Sequence, residues 1–69
     1  MTESQRKIYD VIRNYVQAKG YPPSVREIGS MVGLKSSSTV HSHLAKIKEQ
    51  GYIDFEPGKP RTLRVIKDL

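Results

Sequence analysis

Hydroxyl and imidazole side chains, which can serve as nucleophiles, metal ligands or hydrogen-bonding groups, are concentrated between Ser36 and His43 of this 69-residue sequence. The serines have no general base beside them in a recognisable nucleophile elbow, so the pattern does not favour nucleophilic catalysis. His41 and His43 would point about 200° apart on a helix, and the chain has no cysteine, so the spacing does not favour a metal site. We therefore expect no enzyme activity, no metal and no cofactor, and hydrogen bonding is the chemistry that this stretch favours.

The stretch belongs to a predicted helix that begins in the serine run 36–38 and continues to Gln50. Any of the three serines could cap this helix, and we favour Ser36. Val40, Leu44 and Ile47 form one apolar stripe at i, i+4 and i+7, which should face the core. With about 100° per residue, the residues opposite or beside the stripe are Ser38, Thr39, Ser42, Ala45, Lys46 and Glu49, with His41 and His43 on the two shoulders.

A shorter helix precedes it, and the pair is typical of a helix-turn-helix. Ser24 caps this shorter helix, and Glu27 three residues later completes a capping box. Its apolar residues recur at helical spacing at Val25, Ile28 and Val32. Gly33 ends the helix, because glycine adopts the left-handed conformation at no steric cost. Gly29 lies within the helix, where glycine costs roughly 1 kcal/mol relative to alanine, so we expect another helix to approach closely there.

The first helix of the chain is predicted to start at Thr2, with Gln5 in place for a capping box, and to end at Gly20. Its broad apolar face consists of Ile8, Val11, Ile12, Tyr15 and Val16. Tyr9 lies off the centre of this face, and we expect it to be half exposed. We interpret the helix as scaffold that packs across the two later helices, and Tyr21-Pro22-Pro23 as a stiff connector.

The chain after Gly51 alternates in the manner of a β-hairpin. The inward side chains are expected to be Ile53 and Phe55 in the first strand and Leu63 and Val65 in the second. Between the strands, 57–60 is predicted to form a turn with a basic tip. Three helices followed by this hairpin predict a mainly helical α+β fold, the winged helix-turn-helix. We expect one domain over 1–69, with the helix-turn-helix at about 24–50 and the wing at about 52–66.

The exposed face of the second motif helix is small and rich in hydroxyls, with no large apolar side chain. Such a face can lie against base edges in the major groove of DNA and exchange hydrogen bonds with them. A formal charge of +5 and a pI near 9.8 also suggest an acidic partner. Basic side chains are expected to bind phosphates, which fixes the domain on DNA without reading its sequence. These residues are Arg26, Lys35, Lys46, Lys59, Arg61 and Arg64.

Two other functions remain open from the residues alone. A winged helix can bind an acidic protein, but such a face should carry aromatic or aliphatic anchors, and this helix offers serines, threonine and alanine. Non-specific nucleic-acid binding is the second alternative, although the deep, narrow major groove of double-stranded RNA cannot be read by a helix. The wing itself could contact DNA, or it could merely close the core as a solvated hairpin.

The sequence contains no apolar run that approaches the ~20 residues of a membrane span. Its first residues, MTESQRK, lack the apolar core of a signal peptide. We therefore expect a cytoplasmic protein, located at the nucleoid if it binds DNA.

Several segments resemble the N-terminal DNA-binding domain of the LexA repressor family, in particular its Gram-positive-type members. The resemblance is carried by 21–29 (YPPSVREIG), 32–34 (VGL), 36–44 (SSSTVHSHL), 51–53 (GYI) and 59–61 (KPR). In an ordinary helix-turn-helix, the apolar positions counted from Gly33 would fall on Thr39 and Ser42. Here they fall on Val40 and Leu44, which indicates a turn at least one residue longer, a trait that the LexA family shares.

The resemblance implies a repressor of SOS DNA-damage response genes that binds a palindromic operator in double-stranded DNA as a homodimer. Family members read bases with the start of the third helix, which here assigns base readout to Ser36, Ser38, Thr39, His41 and Ser42. The exposed face derived above independently includes Ser38, Thr39 and Ser42, with His41 at its edge. Full-length members continue into a self-cleaving domain with a Ser-Lys dyad and the main dimer surface, which we expect to be absent from these 69 residues.

Overall fold

The computed structural model describes residues 1–56, 58–59 and 62–67. Its elements within these ranges are α1 (Glu3–Lys19), α2 (Val25–Val32), α3 (Ser37–Glu49), β1 (Ile53–Asp54) and β2 (Arg64–Val65). The two strands pair antiparallel, with Ile53 opposite Val65 and Asp54 opposite Arg64. This order of three helices and a hairpin confirms the predicted winged helix-turn-helix. Among the described residues, no helix combines the length and the apolar content needed to cross a bilayer.

Side-chain capping fixes the starts of α1 and α2 as the sequence predicts. Thr2 and Gln5 form a reciprocal capping box at α1, and Ser24 and Glu27 form one at α2. Each box satisfies two backbone N–H groups that have no partner within the helix. Gly33 ends α2 in the left-handed conformation, with a φ of 78°. The limits of these helices are therefore set by local chemistry.

The core lies where the three helices and the hairpin meet. Its buried apolar residues are Ile8, Tyr9, Ile12, Ile28, Val40, Leu44, Ile47, Ile53 and Leu63. Full burial of an aliphatic side chain of this size stabilises the fold by roughly 1.5–3 kcal/mol. The predicted stripe of α3 belongs to this core, so the burial of one side of α3 determines which of its residues remain in solvent.

Gly29 allows α2 and the start of α3 to pack closely. A Cβ atom at this position would lie 3.0 Å from the carbonyl oxygen of Leu34 and 3.4 Å from Cγ2 of Val40. The backbone of the turn is held in place there, because the N–H of Leu34 donates to the carbonyl oxygen of Gly29 at 2.8 Å. The close approach predicted at Gly29 is present, but its tightest contact is with the backbone of the turn, and α3 contributes only through the side chain of Val40.

Tyr9 is fully buried, so the expectation that it is half exposed is wrong. Its ring packs edge-to-face on Tyr52, with centroids 5.8 Å apart, and its hydroxyl donates to the carbonyl oxygen of Lys67 at 2.7 Å. The N–H groups of Ile66 and Lys67 in turn donate to the carbonyl oxygen of Tyr52. The end of the hairpin therefore closes over a residue that helical periodicity alone puts at the edge of the apolar face.

Strand pairing in the hairpin is shorter than the alternating pattern indicates. Each strand has two residues, because side chains take over backbone hydrogen bonds beyond them. The N–H of Phe55 donates to the carboxylate of Asp54, and the N–H of Glu56 donates to the hydroxyl of Thr62, both at 2.8 Å. Side-chain bonds of this kind compete with the bonds of a β-ladder and turn the chain out of the sheet.

One buried amide joins the start of α1 to the end of α3. Oε1 of Gln5 accepts a hydrogen bond from the N–H of Thr2 at 3.2 Å and another from Nε2 of Gln50 at 3.0 Å. Gln50 is the C-cap of α3, and its Nε2 also donates to the carbonyl oxygen of Lys46. The side chain that caps α1 thus also holds the last turn of α3.

Candidate nucleic-acid interface

The N-terminal half of α3 presents polar side chains to solvent. Val40, Leu44 and Ile47 are at most 1% exposed, which directs the remaining sides of the helix outward. The exposed residues at its start are Ser36, Ser37, Ser38, Thr39, His41 and Ser42. These include all five residues predicted to read bases. The two histidines differ, since His41 is exposed and His43 is half-buried.

Ser36 is the N-cap of α3, as we favoured, but it does not cap the helix with its side chain. Its backbone is extended, with φ −99° and ψ 122°, and its hydroxyl makes no capping hydrogen bond. Thr2 and Ser24 use their hydroxyls to bind the first turns of α1 and α2. The Ser36 hydroxyl therefore leaves the N–H groups in the first turn of α3 uncapped, and N–H groups at a helix start favour an anion.

A groove of about 510 Å³ runs between the start of α2, the exposed side of α3 and the hairpin. Its polar rim includes Arg26 from α2, Ser37 and His41 from α3, and Lys59 from the hairpin turn. Leu44 and Leu63 contribute to its apolar lining. The fold thus brings an arginine, an imidazole and a lysine from three separate elements around one concave surface.

Lys59 is paired at the edge of this groove. Its Nζ lies 3.2 Å from Oε2 of Glu56, and both side chains are mostly exposed, at 72% and 64%. Thr62 organises the same turn, because its hydroxyl accepts from the N–H of Glu56 and donates to the carbonyl oxygen of Lys59. The cation predicted at the wing tip, Lys59, is therefore in an ion pair with the carboxylate of Glu56.

Arg64 lies on a different part of the hairpin and does not line the groove. Its Nη2 binds Oδ2 of Asp54 at 2.9 Å, and Nζ of Lys48 lies 3.5 Å from Oδ1 of the same carboxylate. The hydrogen bond from the N–H of Phe55 lowers the pKa of Asp54, as do the charges of Arg64 and Lys48, although partial burial opposes this shift. Asp54 stays ionised, so Arg64 is held by the hairpin itself.

The remaining predicted phosphate contacts are spread over the surface. Lys35, in the turn between α2 and α3, and Lys46, in the last turn of α3, are exposed and do not line the groove. Arg61 lies outside the described residues. The groove therefore brings together Arg26 and Lys59 from the predicted set, along with His41.

Sequence reasoning did not identify Glu56 and Thr62 as part of this surface. Glu56 is an ordinary acidic residue in an alternating segment, and no spacing rule links it to a lysine across a turn. The alternating pattern also assigns no role to Thr62, whose hydroxyl holds the turn that carries Lys59. The proline and glycine residues at 57–60 predict a turn, but they do not predict the side-chain contacts of Glu56 and Thr62.

Comparison with known proteins supports a DNA-binding domain. The family model described as the LexA DNA binding domain matches residues 1–62. Proteins named LexA repressor from Staphylococcus haemolyticus, Staphylococcus epidermidis and Staphylococcus aureus are 56% identical to this chain over 68 residues. The match covers 99% of this chain and 33% of each relative, so the chain spans about a third of their length. The chain therefore belongs to the LexA DNA-binding domain family.

Proposed function

We propose that this chain binds double-stranded DNA sequence-specifically and represses genes of the SOS DNA-damage response. Its family and the name of its relatives, LexA repressor, support this proposal. The residues 1–69 would act as one DNA-binding domain at the bacterial nucleoid, with a helix-turn-helix at about 24–50 and a wing at about 52–66.

The observation that carries this proposal is the exposure of the start of α3. In the proposed complex this half of α3 enters the major groove, where short hydroxyl side chains can approach base edges closely. Ser38, Thr39, His41 and Ser42 would read a half-site, and Ser36 would contact the backbone or a base at the helix start. Each good base contact discriminates between base pairs by roughly 1–3 kcal/mol.

Phosphate contacts are proposed on both sides of α3. Arg26 and Lys59 are the strongest candidates, because both line the groove that adjoins α3, one from α2 and the other from the hairpin turn. Lys35, Lys46 and Arg61 are further candidates. Arg64 is also proposed, but it would have to leave Asp54 to reach a phosphate. These contacts would supply affinity that depends strongly on salt and little on sequence.

Two copies of the domain are proposed to bind the two halves of a palindromic operator. A single domain of this size offers few base contacts, so one half-site alone would be held weakly. Linking two half-site contacts raises affinity through effective concentration, without any new contact between side chain and base. A homodimer on DNA is therefore the expected functional state.

The proposal is tested by selecting duplexes from a random pool and measuring binding to the selected sequence and to its scramble. Binding is measured at several salt concentrations between about 50 and 200 mM. A preference for the selected duplex, with a palindromic consensus, supports sequence-specific operator binding. Equal binding to the two duplexes would reduce the function to non-specific DNA binding. No binding to any duplex at low salt would favour the protein-interaction alternative.

A further inference from the structure

Glu56 is an acidic residue on a surface that otherwise offers positive or neutral groups. Among the described residues that line the groove, it alone carries a carboxylate, and it shares the rim with Arg26, His41 and Lys59. Its Oε2 lies 3.2 Å from Nζ of Lys59. The Glu56 carboxylate thus pairs with the Lys59 ammonium, which would otherwise be available to an incoming DNA phosphate.

The backbone of the hairpin turn holds Glu56 at this position. The N–H of Glu56 donates to Oγ1 of Thr62 at 2.8 Å, and its carbonyl oxygen accepts from the N–H of Lys59 at 3.1 Å. The hydroxyl of Thr62 also lies 3.1 Å from the carbonyl oxygen of Lys59. These bonds fix the backbone of the turn, so the Glu56 and Lys59 side chains start from positions within reach of each other.

We propose that Glu56 competes with DNA phosphate for the Lys59 ammonium, and so limits the sequence-independent part of DNA affinity. This inference rests on the proposed DNA binding. When a phosphate approaches Lys59, the ammonium must leave Glu56 to bind it. This exchange weakens binding, because the ion pair is lost as the phosphate contact forms.

The expected effect is modest, because exposed ion pairs are weak and salt screens them. Replacing Glu56 with glutamine should tighten binding to duplex DNA by about two- to fivefold at low salt, and by less as salt rises. The effect should be similar for any sequence, because phosphate contacts carry little base information.

Asp10 provides a matched control. Its Oδ1 lies 3.4 Å from Nε of Arg6 in an exposed pair on α1, away from the groove. Glu56→Gln and Asp10→Asn therefore change the net charge equally and each break one exposed pair. Any gain from long-range attraction alone should be the same in both variants.

The experiment is a double-mutant cycle on a fluorescent duplex of random sequence, so it does not depend on knowing an operator. The four proteins are the wild type, Glu56→Gln, Lys59→Gln and the double variant, with Asp10→Asn as the control. Competition predicts that Glu56→Gln tightens binding more than Asp10→Asn does. It also predicts that this gain is lost when Lys59 is already glutamine. Circular dichroism on each variant checks that the fold is unchanged.

Two results would overturn the inference while leaving the proposed function intact. One is a Glu56→Gln protein that binds no more tightly than Asp10→Asn. The other is a gain of the same size with and without Lys59, since that would mean simple repulsion by Glu56. A wild type that binds no duplex at low salt would overturn both proposals. A wild type that binds selected and random duplexes equally would remove only the operator proposal, because this cycle is read on random DNA.

Discussion

The hydroxyl of Tyr15 in α1 donates a 2.8 Å hydrogen bond to Oε2 of Glu27 in the first turn of α2. The other oxygen of the same carboxylate accepts from the N–H of Ser24 at 3.0 Å and so caps α2. One carboxylate therefore both starts α2 and ties it to α1. Tyr15 also stacks edge-to-face on Tyr21 in the connector, with centroids 5.7 Å apart. The position of α2, and therefore of the turn into α3, depends on the hydrogen bond between Tyr15 and Glu27.

The stability of the domain should fall at alkaline pH through Tyr15. The hydrogen bond to Glu27, followed by burial, raises the pKa of Tyr15 from 10.0 to about 12. Because the folded-state pKa lies above the unfolded-state value, this contribution is complete below about pH 10 and is lost as pH rises toward 12. Tyr15→Phe should lack this part of the pH dependence. Urea unfolding of both proteins across that range measures it, and parallel curves would contradict the assignment.

Glu27→Gln separates the two roles of the carboxylate. A glutamine at this position can still accept from the N–H of Ser24, but it removes the negative charge that opposes ionisation of Tyr15. The pKa of Tyr15 should therefore move back toward its ordinary value while α2 remains formed. Ultraviolet titration of the tyrosines, together with circular dichroism, tests this directly.

Base readout by α3 should be lost when its short side chains are made bulky. Ser38→Leu combined with Ser42→Leu puts two large apolar groups where the proposed complex has base edges. Binding to a selected operator should fall to the level of random DNA, while the weak, salt-sensitive binding remains. Asn14→Leu, at an exposed position of α1, is the control for added apolar surface. Equal losses on operator and random DNA would mean that these serines do not read bases.

Lys59→Ala should reduce the dependence of DNA binding on salt. Removing one phosphate contact lowers the magnitude of the slope of log affinity against log salt by roughly 0.9. The loss of affinity should be similar for operator and random DNA, because a phosphate contact is blind to sequence. Lys7→Ala on the exposed side of α1 provides the control. An unchanged slope would remove the wing from the proposed contacts.

Gly29→Ala should destabilise the fold although alanine is the better helix former. The helical gain is about 1 kcal/mol, whereas overpacking typically costs about 1–3 kcal/mol. The new Cβ atom would lie 3.0 Å from the carbonyl oxygen of Leu34, in a turn whose backbone is hydrogen-bonded to Gly29 itself. A net loss of about 1 kcal/mol would lower the Tm by roughly 4–8 °C. Ser30→Ala, one residue along the same helix and exposed, should leave the Tm unchanged or slightly raised.

Local signals explain which parts of the fold could be predicted. Capping by Thr2 and Ser24, termination at Gly33 and the stripe of α3 all depend on residues within one or two turns of each other. Such interactions are present in the sequence as fixed spacings, so they can be predicted from it. The exposure of the start of α3 followed directly, since it is the complement of a buried stripe.

Contacts that depend on how the hairpin folds on itself and onto the helices are the part that the sequence does not reveal. Tyr9 packs on the ring of Tyr52, and its hydroxyl donates to the carbonyl oxygen of Lys67, 58 residues later. The pairing of Arg64 with Asp54 and of Lys59 with Glu56 likewise depends on how the hairpin turns. No helical or strand period encodes these distances, and charge alone predicts phosphate contacts for both Arg64 and Lys59. The structure distinguishes them by their partners and by their position relative to the groove.

The amide of Gln5 has a consequence for how the domain opens. It binds both the N–H of Thr2 and the side chain of Gln50, residues at the start of α1 and the end of α3. Local fraying of either helix end would break a bond on which the other depends. The two ends are thus expected to behave as a single cooperative unit in hydrogen exchange, with backbone amides that become exchangeable together. Helix ends that lie 45 residues apart in sequence would then share one opening free energy.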